Sequence, residues 1–394
     1  MIGTFNYTIC GGLALKKINI GINCLSFDVS KKNGALEVLM NLSKGWGELG
    51  YDYYLTFFCY EEHARQIAAL CPNAAIVKIK NKITGKHRGL ETIKLQTCLF
   101  HSIYKKYDLD MIFFTLTSIG WLKYDVPVVL IPHDIQVVSH PDNYFTHSVK
   151  DKIEYLFNYL EYKRNFKISN QIIAISDIDK KEIETYYPFT QNKLVKIYDP
   201  IGKEIPDVIN ISKRPYIMAT NIQYKHKNIL TLVKAFELFH RKKKQYKLYL
   251  VGKESKATQE LHDYIRQHKL EGCIKFLGYI SDEELIKLWV DTSLYVNPSL
   301  YEGFGMTSVE SLMMGAPTLL SDIQVHREVT ENLAFYFKNL FDYQELAKII
   351  ENIVDMPLRE DVLKNNSMIM RKKYDYKMIA QQYWNTFNIV IDKE

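Results

Sequence analysis

Short apolar runs alternate along nearly the whole chain with stretches in which apolar residues recur every three or four positions. The first pattern is that of a buried strand and the second that of an amphipathic helix; their alternation predicts parallel βαβ units. Strands are expected at Lys17–Leu25, Tyr53–Cys59, Ala74–Lys80, Met111–Leu116, Pro127–Ile131, Gln171–Ser176 and Leu194–Tyr198. Between them the spacing predicts helices at Ala35–Leu49, Glu61–Leu70, Leu90–Tyr107, Val149–Phe166 and up to Tyr187. Asp199–Lys213 has no clear period and holds Pro200, Gly202 and Pro206, so it reads as a linker. A second series follows, with strands at Tyr216–Ala219, Lys247–Val251, Ile274–Gly278, Leu294–Asn297, Thr318–Leu320 and Ala334–Phe337. Its helices are expected at Ile229–Arg241, Thr258–Lys269, Asp282–Trp289, Thr307–Met314, Tyr343–Asp355 and Arg359–Tyr374, and the tail Lys377–Ile391 reads as one more amphipathic helix.

The fold class is therefore α/β, with two Rossmann-like halves of similar size. Ligands of such sheets bind at the carboxyl ends of the strands, and the expected site is a cleft between the two halves. Composition agrees: 394 residues, 47% hydrophobic and 24% charged, exclude a disordered chain, a collagen and a coiled coil. The net charge of +6 falls short of a nucleic-acid-binding signature and suits a phosphorylated substrate or an anionic membrane surface. Cys10, Cys24, Cys59, Cys71, Cys98 and Cys273 form no CxxC pair, which points to reduced core thiols of a cytosolic protein rather than zinc ligands. Residues Met1–Lys16 lack the charge order of a secretory leader. The longest uncharged run, Met111–Leu122, is too short to span a bilayer, so the expectation is a cytoplasmic protein, peripheral to a membrane at most. The basic stretch Lys78–Arg88 reads as a solvated loop, and Asp108-Leu109-Asp110 as a turn rather than a metal site.

The chemistry concentrates in Asn297–Glu328, NPSLYEGFGMTSVESLMMGAPTLLSDIQVHRE. A strand ends at Asn297-Pro298, a Gly-rich loop Glu302-Gly303-Phe304-Gly305 follows, and Thr307-Ser308 is expected to cap the next helix. Glycines that let the backbone approach a ligand, beside a helix N-terminus, make a seat for phosphate. Glu302 precedes that helix and Glu310 lies inside it, so both are expected to face one bound molecule, one carboxylate toward a sugar and the other toward a ribose diol.

Ser299-x-Tyr301-Glu302-Gly303-Phe304-Gly305 with Glu310 and Gly315-Ala316-Pro317 resembles the donor site of retaining GT-B glycosyltransferases, in particular the bacterial polysaccharide mannosyl- and glucosyltransferases of group 1, family 4. His133-Asp134-Ile135-Gln136 with Pro141 resembles a second stretch of that family, and Lys225-His226-Lys227-Asn228 a third, although Asn221 stands where the family often has arginine. Asn33-Gly34 is similar to its Gly-Gly loop, with one glycine kept. Ser176, Ser321-Asp322 and His326-Arg327-Glu328 also fit the pattern.

The resemblance implies an acceptor domain at residues 1–203, a nucleotide-sugar donor domain at 204–374, and a C-terminal helix at 375–394 packing back on the first. It implies catalytic roles for His133, Glu302 and Lys227, the lysine stabilising the departing diphosphate. Gly34, Lys225, Gly303, Phe304, Gly305, Met306, Thr307, Ser308 and Glu310 would bind the donor, and Asp134 would orient His133 or meet the acceptor. No cofactor and no metal are implied; the co-substrate is a nucleotide-diphosphate sugar, GDP-mannose favoured, with UDP- and dTDP-sugars open. The implied partner is a glycan or lipid-linked glycan acceptor at the inner membrane face. Alanine at Glu302, Lys227 or His133 is expected to lower turnover before it unfolds the protein. Competing readings are a non-catalytic partner subunit or a nucleotide-sugar epimerase of the same fold. A nicotinamide oxidoreductase is disfavoured, because Ser26–Glu37 holds one glycine where three are needed.

Overall fold

A computed structural model describes residues 17–25, 34–72, 74–80, 99–115, 119–120, 122–145, 148–202, 209–210, 212–255 and 258–393. Residues 1–16, Asn33, residues 81–88 of the basic stretch, Cys10, Cys98, the start of the expected Leu90–Tyr107 helix and much of the expected linker lie outside the described residues. The chain divides into two compact units, one of Met1–Pro132, Glu161–Ile173 and Ala380–Glu394, the other of His133–Leu160 and Ala174–Ile379.

The first unit is built on β1 (Ile18–Asn23), β2 (Tyr53–Tyr60), β3 (Ala75–Ile79), β4 (Met111–Phe114), β5 (Val128–Leu130) and β6 (Gln171–Ala174). These run parallel in the order β3-β2-β1-β4-β5-β6. Helix Gly34–Glu48 buries Leu36, Leu39, Leu42 and Trp46, one apolar residue per turn or better, as its period requires. Trp46 is fully buried, donates from Nε1 to Ala380 O at 2.8 Å, and meets the rings of Trp384 and Phe387 at 6.2 and 5.5 Å. The indole thus buries a large apolar surface without orphaning its N–H. Cys24, Cys59, Cys71 and, in the other unit, Cys273 are free and buried.

The second unit holds β7 (Leu194–Lys196). Its main sheet holds β8 (Arg214–Thr220), β9 (Lys247–Val251), β10 (Ile274–Gly278), β11 (Thr292–Asn297), β12 (Thr318–Ser321) and β13 (Phe335–Phe337). All are parallel, in the order β10-β9-β8-β11-β12-β13. Helices Ile229–Lys242 and Tyr343–Asp355 cover one face through Leu232, Phe236 and Ile350 against Leu248, Leu250 and Leu294. Trp289, Met314, Tyr295 and Leu320 form a second core cluster. Strand order reverses between β8 and β11, so the loops leaving their carboxyl ends diverge and leave a crevice there.

The structure differs from the sequence reading in three local respects. Glu61–His63 is a 3₁₀ turn ahead of the helix Ala64–Leu70. Gln136–Ser139 and Gln324–Val329 are helices that the spacing does not predict, being too short for a period to register. The helix Met306–Met313 is not capped by Thr307 or Ser308: its N-cap is Gly305, in the left-handed conformation at φ 84°, and no side chain caps it. Both hydroxyl residues lie inside the first turn, where their side chains face the sheet.

Candidate active site

The loop after β11 and the turn after β8 carry the site. Lys225–Lys227 is a 3₁₀ turn closed by Asn228, which is left-handed at φ 53° and starts the helix Ile229–Lys242. Leu300 N donates to His226 O at 2.8 Å, which ties the turn to the neighbouring loop. This junction puts Lys227 Nζ 2.6 and 2.7 Å from the two carboxylate oxygens of Glu302. The two residues are only 7% and 8% exposed, so the pair is a dry, two-pronged ion pair.

Glu302 is further held by β11 and its loop. Asn297 Nδ2 and Ser299 Oγ donate to Glu302 Oε1 at 3.1 and 2.8 Å. Asn297 Nδ2 also reaches Ser308 Oγ at 3.0 Å, and Ser299 Oγ donates to Asn297 Oδ1 at 2.6 Å. His326 Nδ1 lies 2.9 Å from Ser321 O, a carbonyl that can only accept, so the proton sits on Nδ1 and Nε2 faces Asn297 Nδ2 at 3.4 Å. Burial works against the Glu302 charge, but Lys227, with help from the Asn297 amide, holds the carboxyl down at about 2. Burial and the adjacent Lys227 charge push His226 down to about 4, and burial lowers His326 too, so both rings are neutral near pH 7.

Gly303 marks the closest approach of backbones. A Cβ there would come within 2.8 Å of His133 O and 3.1 Å of Asp134 Cβ, so no larger residue fits without movement. Gly303 O accepts from Ser176 Oγ at 2.8 Å; the same hydroxyl caps helix Asp177–Tyr186 by accepting from Asp179 N at 3.0 Å. His133 is left-handed, φ 63°, a conformation uncommon outside glycine. Asp134 Oδ1 accepts from Gln136 N at 3.1 Å; burial, with Glu182 and Glu302 nearby, raises its carboxyl to about 6. Tyr301 OH donates to Glu182 Oε2 at 3.0 Å, as does Ser139 Oγ at 2.8 Å, so the residue before Glu302 is also anchored.

The structure thus brings His133, Asp134, Lys227, Glu302, Gly303 and Gly305 together, with Ser308 beneath them. Other expected residues are placed differently. Ser308 is fully buried and its hydroxyl is engaged by Asn297, while Thr307 Oγ1 accepts from Tyr295 OH at 2.9 Å. Phe304 packs against Tyr198 and Tyr374 in the core. Glu310 is 1% exposed. Met306 is partly exposed and Lys225 exposed. Gly34 begins the first helix of the other unit. Asn297, Glu182 and Tyr301 escape the sequence reading as partners; Asn297, the last residue of a strand ending at the crevice, is the one that position alone could have singled out. Among the described residues no group of three or more His, Cys, Asp or Glu could hold a metal ion.

Residues 203–369 match the family described as Glycosyl transferases group 1. The O-antigen chain mannosyltransferase RfbU of Salmonella typhimurium is 27% identical over 254 residues, 64% of this chain and 67% of that protein. The O-antigen chain mannosyltransferase B of Escherichia coli is 23% identical over 271 residues, 66% of this chain and 69% of that protein. Among solved structures, the sucrose-phosphate synthase of Thermosynechococcus elongatus superposes with a TM-score of 0.79 at 16% identity, over 96% of this chain and 100% of that one. The Anabaena protein HepE, solved in complex with UDP and glucose, gives 0.69 at 18% identity, over 94% and 99%. Residues 203–369 are thus a group 1 glycosyltransferase domain, in a chain whose two parallel Rossmann-like sheets make the GT-B fold of glycosyltransferases.

Proposed function

We propose that the protein transfers a hexose, mannose favoured, with retention of configuration from a nucleotide-diphosphate sugar to a hydroxyl of a glycan or lipid-linked glycan, in surface polysaccharide synthesis. The observation that carries this reading is the buried Glu302–Lys227 pair beside Gly303 and the uncapped helix end at Gly305. Glu302, ionised at every physiological pH, accepts hydrogen bonds from sugar hydroxyls. Two Lys227–Glu302 bonds leave one N–H of the ammonium for the diphosphate. As the nucleotide departs, its growing charge is stabilised by that N–H and by the N-terminus of helix Met306–Met313. His133 lies against Gly303 and is the group assigned to the transferred sugar. No residue is given the part of a covalent nucleophile; the attacking hydroxyl loses its proton to the leaving phosphate, without a metal. Mannose is favoured because the similar curated proteins are named as mannosyltransferases.

The test offers GDP-mannose, UDP-glucose and dTDP-glucose with mannosyl acceptors, with and without EDTA, and reads the product anomer by NMR. Transfer from GDP-mannose with an axial product linkage, undisturbed by EDTA, is expected. An inverted product would refute retention. No stabilisation by GDP, UDP or dTDP would refute the enzyme, since a nucleotide at 100 times its Kd adds about 2.7 kcal/mol.

Attachment to an anionic membrane surface belongs to the same proposal. Among the described residues no helix is long and apolar enough to cross a membrane. On helix Val149–Ile168, however, Val149 (76% exposed), Ile153, Leu156, Phe157 and Leu160 leave an apolar stripe in solvent. By helical spacing Lys152 and Lys163 border it on one side and Lys150 on the other, Arg164 and Lys167 continue its line, and Asp151, Glu154 and Glu161 lie further round. A second copy docking on this stripe would set like charges against each other, whereas an anionic lipid surface complements them. Sedimentation with vesicles containing phosphatidylglycerol, lost with phosphatidylcholine alone and in an I153S/L156S/F157S variant, is the expected result.

A further inference from the structure

A cavity of about 700 Å³ opens on the far side of the turn and loop that make the ion pair. Lys225, His226 and Leu300 line it, whereas Lys227, one residue on, and Glu302, two residues on, do not. The two segments therefore serve two sites: one set of side chains closes the dry carboxylate nook and the other set faces an open pocket. The volume sits within the roughly 300–1,000 Å³ of small-ligand sites.

Its walls combine two kinds of group. Aromatic rings dominate: Tyr144, Tyr224 and Phe341 are 47%, 53% and 69% exposed, an unusual investment of large apolar surface in contact with solvent. Tyr224 is fixed by stacking on His226, with centroids 5.6 Å apart and planes at 18°. Charges of both signs stand among the rings, Asp142 and Glu260 on one hand and Lys225 and Lys234 on the other.

This mixture selects a ligand class. A nucleotide or other polyanion would meet two carboxylates; an acyl chain would bury four charges. A neutral, polyhydroxylated ligand uses everything: its C–H faces lie on the rings, its hydroxyls donate to carboxylates and accept from ammonium groups. We infer that this pocket holds a glycan, as a binding subsite for a stretch of the acceptor chain beside the Glu302 nook. The inference rests on the proposed glycosyl transfer for which sugar arrives there.

The test uses full-length protein with mannotriose and maltotriose as probes, read by saturation-transfer NMR and by calorimetry, in the wild type and a Y224A/F341A variant. Both rings are well exposed, so the variant should keep its melting temperature. Loss of each ring is expected to weaken the favoured triose roughly 2- to 10-fold. In transfer assays the acceptor KM of the double variant rises by the product of the two factors while the donor KM does not. Equal binding by variant and wild type, or no triose bound by the wild type, overturns the subsite. Absence of sugar transfer from every donor would instead overturn the catalytic reading, and the binding result would still decide the pocket.

Discussion

Two carboxylates flank the same glycine and have opposite fates. Glu302, on one side of Gly303, is buried and held at about 2; Asp134, on the other, is raised to about 6. Burial acts in the same direction on both. The difference is the partner: Glu302 has an ammonium at 2.6 Å with an amide and a hydroxyl behind it, while Asp134 accepts from Gln136 N and faces the charges of Glu182 and Glu302. A charge survives burial when a fixed counter-charge and donors surround it. The nook therefore stays ionised and the neighbouring acid exchanges a proton near neutral pH.

The largest effect follows from removing the cation. Lys227→Ala leaves a buried carboxylate without its counter-charge, at a cost of about 3–5 kcal/mol, on the order of 10 °C in the melting temperature. The buried pair thus adds a stability loss to a variant from which sequence alone leads one to expect only lower turnover. Lys227→Met with Glu302→Gln, which removes both charges, should recover most of the stability and none of the activity. Calorimetry at pH 7.5 checks both; an unchanged melting temperature in Lys227→Ala would show that the carboxylate is solvated.

Gly303→Ala comes next. Its Cβ would press on the backbone carbonyl of His133 and on the side chain of Asp134, and about 1–3 kcal/mol of overpacking is expected. The same push drives the two carboxylates apart, so activity should fall at least tenfold. Gly272→Ala is the control, because nothing lies within 4 Å of a Cβ there and it stands outside the site. If the two variants behave alike, close approach is not what fixes the loop.

Much of this arrangement is legible in the sequence, and what is not has a common cause. Strands Lys247–Val251 and Ile274–Gly278 and helix Tyr343–Asp355 coincide with the pattern, because bounded apolar runs and a 3.6 period are local properties. Glu302 and Lys227 stand out as chemistry for the same local reason. Their mutual pairing does not: they are 75 residues apart and meet because β8 and β11 are neighbours in the sheet. Ser176, 127 residues from Gly303, and Glu182, 119 from Tyr301, are hidden likewise. The aromatic pocket escapes altogether, since Tyr144, Tyr224 and Phe341 come from three distant loops in a chain with 28 tyrosines and 19 phenylalanines.

Ser176→Ala tests one of those hidden links. The hydroxyl caps a helix and holds Gly303 O, and loss of the cap alone costs about 1 kcal/mol. Ser176→Thr keeps both bonds and should restore the donor KM and melting temperature. If alanine lowers stability but leaves the donor KM untouched, the contact with Gly303 is only structural.

The smallest effect distinguishes the two carboxylates by sign. The folded protein holds Asp134 near 6, above its unfolded value of about 4, so the ionised acid opposes folding above pH 6. As pH falls from 6 towards 4 the folded form takes up a proton that the unfolded form does not yet take, and the opposition fades. Asp134→Asn keeps an acceptor for Gln136 N and removes the charge, so it should stabilise the protein at pH 7.5 and do nothing near pH 4. Partial exposure limits the gain to about 1 kcal/mol. Glu302 runs the other way: its depressed value contributes stability that is present above its unfolded value and is lost only as pH falls through about 2. Melting temperatures of wild type and Asp134→Asn between pH 4 and 8 separate the cases. A difference that does not change with pH would mean that Asp134 acts through shape rather than charge, and that its environment is no less welcoming to an anion than that of Glu302.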